Sequence, residues 1–557
     1  MLSLIQLHHH KQHTKILCAI LQHSTRSIHR YINTVPIGAP HPTQQDTNST
    51  QLTSFFIHGS LLQLLSSQAI GIGCQSNNVT ILQTPTQFYD KLIELTQQSQ
   101  SRIILSSLYL GTGTLEQKLI GAIQLQCSKY NSLHVGTLFD YLRGTRHTKS
   151  GTTVDTLKPL LQSHCTLRHN SNSNSNSTNN RIKSSFFHVP LQTHRWWHRL
   201  LSGRTREALG VHHMKYYIFD DYIVLSGANL SDTYFTNRQD RYILIKNKQL
   251  ADFYTNVTNI LSNSNSTYIA DQYGILQRNQ PNDNPRLITT QQQLIDELQQ
   301  HFIPSNTDLK PGMNSFHSNY SPHIDCWIFP TIQCGTLNIR HDESITESLI
   351  NFTNLQRMTN DVQTSQIEST HNESAWSDRG KLDISTGYMN FTKRYSKLIY
   401  GSIARIRLIS SSYIGNGWYG APGIYKFIPD LYTSVTYQFI KQLSNQPNIR
   451  YYEYNRENWS YHCKGIWYTA SGQSIPNVTL IGSSNFGQRS VNTDTESSII
   501  LVSQYNNTLC QQLLHERDDI LSYSKLQSID EFTSNPLHKR ALNPFFQWIG
   551  RIAKYYM

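Results

Sequence analysis

The stretch His213-Met214-Lys215-Tyr216-Tyr217-Ile218-Phe219-Asp220 decides the reading of this chain, because His462-Cys463-Lys464 repeats its opening and the residues after both run alike. After the first copy come the apolar run Ile223-Val224-Leu225 and the small-residue turn Ser226-Gly227-Ala228-Asn229. After the second come Val478-Thr479-Leu480-Ile481 and Gly482-Ser483-Ser484-Asn485, with a loop at 469–477 inserted before them. In each copy an acid lies 11 residues past the Asn: Asp240 in the first, Glu496 in the second. A His and a Lys two apart on a strand face the same side, so both reach one phosphate, and the turn delivers an amide to the same oxygens. A lone His-x-Lys carries no information. Two copies with equal Asn-to-acid spacing point to a symmetric, two-halved site for attack on a phosphodiester or pyrophosphate.

At 557 residues the chain holds about two to four domains or one large two-lobed unit. Charged residues are 15% and aromatics 11%, with 31 Tyr, the composition of a globular protein. The net charge of +12 favours anionic partners such as nucleotides or an anionic membrane surface. Eight scattered Cys without a CxxC pair argue against a zinc site and a disulfide-stapled secreted fold, and for a reducing compartment. From Met1 to Gln45 there is no acid, while Lys11, Lys15, Arg26 and Arg30 alternate with apolar runs such as Ile16-Leu17-Cys18-Ala19-Ile20-Leu21. That is the composition of a mitochondrial presequence.

Helical spacing at 87–95, a buried-strand pattern at 102–110 and a second helix start at 115–120 alternate as in α/β layers. The polar run 169–180 reads as a loop, and 275–320 and 355–380 read as loose regions. These signals divide the chain into a presequence (1–45), an N-terminal lobe (46–275) with the first His-x-Lys unit, a C-terminal lobe (276–540) with the second, and a tail (541–557). The tail mixes aromatics with Arg551 and Lys554, as an interfacial membrane helix does; a helix docked on the core has the same composition. No window of 18 apolar residues occurs, so no membrane-spanning helix is expected.

The duplicated His-x-Lys with a following Asn turn resembles the phospholipase D superfamily, whose mark is a repeated HxK(x)4D motif. The likeness extends further, to the family of mitochondrial phosphatidylglycerophosphate synthases. It is carried by Ser107-Leu108-Tyr109-Leu110-Gly111-Thr112-Gly113, by Ser226 to Asp232 with Tyr234 to Tyr242, by Tyr454-Asn455-Arg456, and by Ile481 to Ser490. It covers about residue 53 to the C-terminus, loops excepted. Two positions depart from the superfamily pattern: Thr469 stands where the second motif would carry its Asp, and the first turn reads Ser-Gly-Ala-Asn. The first departure suggests that Asp220 serves its lobe's structure more than the chemistry.

The resemblance implies an α/β fold of two phospholipase D-like lobes, each a mixed sheet flanked by helices, related by pseudo-two-fold symmetry with the site at their interface. It implies transfer of the phosphatidyl group of CDP-diacylglycerol to sn-glycerol 3-phosphate with release of CMP. His213 would form a phosphohistidine, and His462 would protonate the leaving CMP and then accept the glycerol proton. Lys215, Lys464, Asn229 and Asn485 would hold the non-bridging oxygens. The acids would act crosswise, Glu496 orienting His213 and Asp240 orienting His462, each favouring a charged imidazole. Asp220 completes the motif's catalytic set. Arg143, Arg146, Arg238 and Arg489 are candidates for the acceptor phosphate or the nucleotide diphosphate. No metal or other cofactor is expected, since two Lys can do what Mg²⁺ does elsewhere. The implied setting is peripheral association with an anionic membrane, on the matrix side of the mitochondrial inner membrane, with no nucleic-acid partner. A phospholipase D-type hydrolase using water as acceptor fits the same motifs.

Overall fold

In the computed structural model, residues 59–169, 181–190, 206–280, 287–302, 324–360, 379–443 and 446–556 are described. The presequence-like start, the run 170–180 and most of the loose region at 355–380 lie outside these residues.

Six strands organise the first lobe: β1 (Arg102–Ser107), β2 (His134–Asp140), β3 (Ile182–Phe187), β4 (Tyr216–Phe219), β5 (Tyr222–Ser226) and β6 (Tyr242–Lys246). Six answer them in the second: β7 (Lys381–Ser385), β8 (Arg405–Ser411), β9 (Ile449–Tyr454), β10 (Gly465–Thr469), β11 (Val478–Gly482) and β12 (Thr495–Ser503). The first sheet runs β6-β5-β4-β1-β2-β3 and the second β12-β11-β10-β7-β8-β9. The correspondence includes direction. β1, β2 and β3 pair in parallel, as do β7, β8 and β9, while β4-β5-β6 and β10-β11-β12 are antiparallel meanders. Parallel pairs need long crossovers, and helices such as Thr114–Lys129, between β1 and β2, supply them.

Alternation along the meanders builds three layers of core. Tyr216 and Ile218 face a central cluster, whereas Tyr217 and Phe219 face the outer core of the first lobe. Trp467, Ile499 and Leu501 enter that central cluster from the second lobe, while Ile466, Tyr468, Ile500 and Val502 face its outer core. The lobes thus share one apolar interior. A buried Arg241, bidentate to Glu516 at 3.0 and 2.8 Å, crosses between them under Trp467.

Strand pairing crosses the lobe limits expected from sequence. The early strand Ile72–Cys74 pairs antiparallel with Cys326–Cys334 in the second sheet, and Leu276–Arg278 pairs in the first. The expected loose region 275–320 also contains a helix, Gln291–Phe302, whose Leu294 and Leu298, one turn apart, enter the central core. Its Gln-rich surface masks that stripe in the sequence. Cys74, Cys127, Cys326, Cys334, Cys463 and Cys510 are buried free thiols. The tail forms a helix, Pro544–Ala553, docked on helix Ile428–Ile440. Among the described residues no helix is long and apolar enough to cross a membrane.

Candidate active site

The two His-x-Lys segments precede β4 and β10, so the fold brings them to the matching ends of two interior strands. Each is fastened to the other lobe. His213 N–H donates to Thr495 O at 2.9 Å and Thr495 N–H donates to Val211 O at 2.9 Å. Reciprocally, Ser460–Tyr461 pairs in parallel with Arg238–Gln239, and His462 N–H donates to Gln239 O at 2.8 Å. Each histidine is therefore bonded to the residue just before the opposite lobe's acid, and this sets the crossed pairing of side chains. His213 Nδ1 lies 2.8 Å from Glu496 Oε2, and His462 Nδ1 lies 2.7 Å from Asp240 Oδ2. A carboxylate on Nδ1 fixes the proton there and leaves Nε2 as the reactive atom. Ser483 Oγ donates to the same oxygen of Glu496, and Arg241 N–H donates to Asp240 Oδ1 at 2.8 Å.

The lysines fold back onto their own motifs. Lys215 Nζ donates to His213 O at 2.6 Å, and Lys464 Nζ to His462 O at 3.0 Å. Lys464 also lies 3.8 Å from Asp240, 2.7 Å from His462 Nδ1 and 3.1 Å from its Nε2. Gly227, in the first turn, has to be glycine: a Cβ there would sit 2.6 Å from Asp240 Oδ1 and 3.0 Å from Lys464 Nζ. Asn229 is buried beside Ser107. Asn485 carries a buried Oδ1 with no partner among the described residues, as expected of a group facing a ligand.

Burial dominates the electrostatics. It pushes the Glu496 carboxyl up to about 7 and that of Asp240 up to about 6, against the pull of the lysines. It lowers Lys215 to about 7 and Lys464 to about 8. Both imidazoles are held well below 6.5, first by burial and then by the adjacent lysine. The sequence expectation of charged imidazoles under their carboxylates is thus corrected: desolvation and two cations outweigh the acids, and the histidines rest neutral.

Not every candidate joins this cluster. Asp220 lies at the far end of β4, in a left-handed turn with φ of 50°. Its carboxylate accepts from the backbone N–H of Gln100, Ser101 and Arg102 at 2.8–2.9 Å and from Ser101 Oγ at 2.7 Å. It braces the entry to β1 and touches no reacting group. Its assignment to the catalytic set is corrected, and the absence of a counterpart at Thr469 is explained. Arg146 is committed to Glu207 by two hydrogen bonds at 2.9 and 3.0 Å. Arg489 is held by Asp494 and the Glu207 carbonyl, both at 3.0 Å. Arg143 lies 4.2 Å over Tyr109, and Arg238 lies 4.6 Å over Tyr234. Arg238 Nε is buried without a partner among the described residues.

Several neighbours have no pattern that betrays them in sequence. The hydroxyl of Tyr234 lies 3.4 Å from both ring nitrogens of His462, and the ring of Tyr388 stands 6.4 Å from His462, edge-on. Asp140 and Asp494 accept from His212 N–H and Val211 N–H at 2.8 and 3.1 Å, holding the strap that carries His213. Asp140 closes β2 and Asp494 immediately precedes β12, and no motif marks either.

Two fused His-x-Lys half-sites, each completed by the other lobe's acid on duplicated mixed sheets, define a phospholipase D-type phosphoryl-group enzyme. No family model matches the chain. A phosphatidylserine synthase from Haemophilus influenzae superposes with a TM-score of 0.62 at 19% identity, over 90% of this chain and 100% of that one. The mitochondrial CDP-diacylglycerol–glycerol-3-phosphate 3-phosphatidyltransferase of Gallus gallus is 32% identical over 495 residues, which is 84% of this chain and 82% of that protein. A probable enzyme of the same name from Dictyostelium discoideum is 32% identical over 84% of this chain and 76% of its own. The counterpart from Saccharomyces cerevisiae is 28% identical over 83% and 85%. The chain belongs to the CDP-diacylglycerol–glycerol-3-phosphate 3-phosphatidyltransferase family.

Proposed function

We infer that this protein transfers the phosphatidyl group of CDP-diacylglycerol to the primary hydroxyl of sn-glycerol 3-phosphate, giving phosphatidylglycerophosphate and CMP. The observation that supports it most is the pair of crossed imidazole–carboxylate contacts within one chain, which gives a nucleophile and a base on opposite sides of one phosphorus. In the first step His213 Nε2 attacks the lipid-side phosphorus. The bond to the bridging oxygen breaks and CMP leaves with the electron pair. A phosphate monoester has a second pKa near 6, so CMP departs as an anion held by a lysine and needs no proton from His462. In the second step neutral His462 Nε2 takes the proton of the glycerol hydroxyl. The alkoxide oxygen attacks the phosphohistidine, the P–N bond breaks, and His213 is regenerated; the proton on His462 then passes to solvent or product. Lys215, Lys464, Asn229 and Asn485 bind the non-bridging oxygens, whose charge grows in both transition states.

The acid-free start and the names of the vertebrate relatives support a mitochondrial setting. We place the enzyme on the matrix side of the inner membrane, bound peripherally to an anionic leaflet that supplies its lipid donor. The test supplies labelled glycerol 3-phosphate and CDP-diacylglycerol to purified protein in detergent with EDTA. Labelled phosphatidylglycerophosphate, lost in His213→Ala and His462→Ala, is expected. Phosphatidic acid without labelled lipid would assign water as the acceptor and overturn the reading.

A further inference from the structure

The tail helix Pro544–Ala553 inverts the usual arrangement of a docked amphipathic helix. An apolar stripe at i, i+3 and i+7 normally faces the core. Here Phe545, Trp548 and Ile552, with Tyr555 in the next turn, follow that spacing and are 61%, 59%, 51% and 46% exposed. The side held by the protein is the slender one. Gly550 is buried against Ser434, Ser434 Oγ donates to Phe546 O at 3.3 Å, and Gln438 Nε2 donates to Gln547 O at 2.9 Å. The stripe is therefore presented outward by a rigid attachment. It continues sideways into the segment 413–427: the ring of Phe427 lies tilted 6.0 Å from that of Phe546, and Ile424 and Tyr419 are 75% and 55% exposed.

Charge on this face has one sign. Residues 541–557 contain Arg551 and Lys554 and no acid; residues 412–429 contain Lys426 and no acid. The face also adjoins the reaction centre. Asn390 Nδ2 donates to Lys554 O at 2.7 Å, Tyr388 stacks 4.0 Å from Tyr432 of the helix that carries the tail, and Tyr388 faces His462. Gly417 packs directly against the Arg238 guanidinium.

We propose that this face, the outward side of helix Pro544–Ala553 with the segment 413–427, seats on an anionic bilayer leaflet and sets the mouth of the site at the headgroup plane. The proposal rests on the reading that the donor is a membrane lipid. Aromatic rings belong at the headgroup level, and a cation near an anionic surface adds to binding. A stripe of this size flanked by cations is the composition of an interfacial helix rather than of a solvated one.

The test measures flotation of the full chain with vesicles of phosphatidylcholine alone or with phosphatidylglycerol, without donor or acceptor. Wild type is expected to bind the mixed vesicles and to be released by salt. Trp548→Ser with Ile552→Ser is expected to weaken binding by ~10²-fold, from the two apolar side chains left in water. Lys426→Gln with Arg551→Gln is expected to weaken it by ~5-fold per cation, on the mixed vesicles only. Leu125→Ser, an exposed position on helix Thr114–Lys129 of the first lobe, should change nothing. Turnover of a dispersed short-chain donor should be unchanged in all three variants, which shows that they are folded. Undiminished binding by the Trp548/Ile552 variant, or indifference of wild type to phosphatidylglycerol, would overturn the proposal. So would a wild-type dimer in sedimentation that this variant abolishes without loss of vesicle binding, because the face would then join two copies of the chain. Since binding is scored without substrates, vesicle binding together with a failed product assay would sink the functional reading and leave the surface standing.

Discussion

Replacing Glu496 by Gln should make the protein both less active and more stable, with the second effect confined to one pH range. The side chain is fully buried, one oxygen accepts from His213 and Ser483, and the other has no partner among the described residues. Burial lifts its pKa from 4.5 to about 7. At 1.36 kcal/mol per unit, that rise corresponds to about 3 kcal/mol of preference for the protonated form in the native state. Because the folded value lies above the unfolded one, the contribution is present below pH 4.5 and is lost as pH rises through about 7. Gln copies the neutral acid and does not titrate. Unfolding by denaturant should therefore find the variant close to wild type near pH 4.5 and up to about 3 kcal/mol more stable at pH 8. Turnover should fall ~10²–10⁴-fold, since an imidazole without its orienting carboxylate loses its tautomer and position. Unchanged activity would rule out an orienting role for Glu496, and a variant less stable than wild type at pH 8 would rule out a burial-raised carboxyl.

Asp220→Asn should leave kcat within a few-fold of wild type and cost about 2–3 kcal/mol in unfolding, because it weakens charge-assisted bonds to the turn before β1. Burial alone would raise the Asp220 pKa, but the Ser101 hydroxyl and three backbone N–H groups lower it on balance, so this brace weakens as pH falls through that lowered value. The ratio kcat/KM should decline as pH rises through about 7 to 8, as Lys215 and then Lys464 lose the protons that hold phosphate; a pH–rate profile of the free enzyme checks it. Arg238→Gln should raise KM ~10–100-fold for whichever substrate's phosphate the guanidinium holds, whereas Arg146→Gln, losing only its pair with Glu207, should leave both KM values unchanged. Initial-rate kinetics with each substrate varied in turn separates the two.

The cluster of side chains was legible because duplication is a local signal. His213, Lys215, His462 and Lys464 announce themselves by repetition, and Asp240 and Glu496 by equal spacing from their Asn. Short continuous apolar runs placed β5 and β11 for the same reason: the pattern is written in consecutive residues. What the sequence hides is set by contacts distant in the chain. Nothing in Ile72-Gly73-Cys74 says that it pairs with Cys326–Cys334 rather than with its own lobe. Thr469 at the matching position hints that Asp220 is structural, but what it braces becomes visible only in the turn that places it against Gln100–Arg102. The neutral resting state of both imidazoles depends on desolvation by two packed lobes, which no spacing records. The outward stripe of the tail follows the spacing of a core stripe, so its direction becomes visible only once Gly550 is seen against Ser434.

In the proposed mechanism the lipid passes through His213 on its way to the acceptor. Mixing the enzyme with CDP-diacylglycerol alone, quenching in base and mapping the adduct by mass spectrometry tests it directly. Stoichiometric CMP release is expected with a phosphatidyl group on His213, discharged to phosphatidylglycerophosphate when glycerol 3-phosphate is added. An adduct on His462, or CMP released only once glycerol 3-phosphate is present and with no adduct at all, would contradict it.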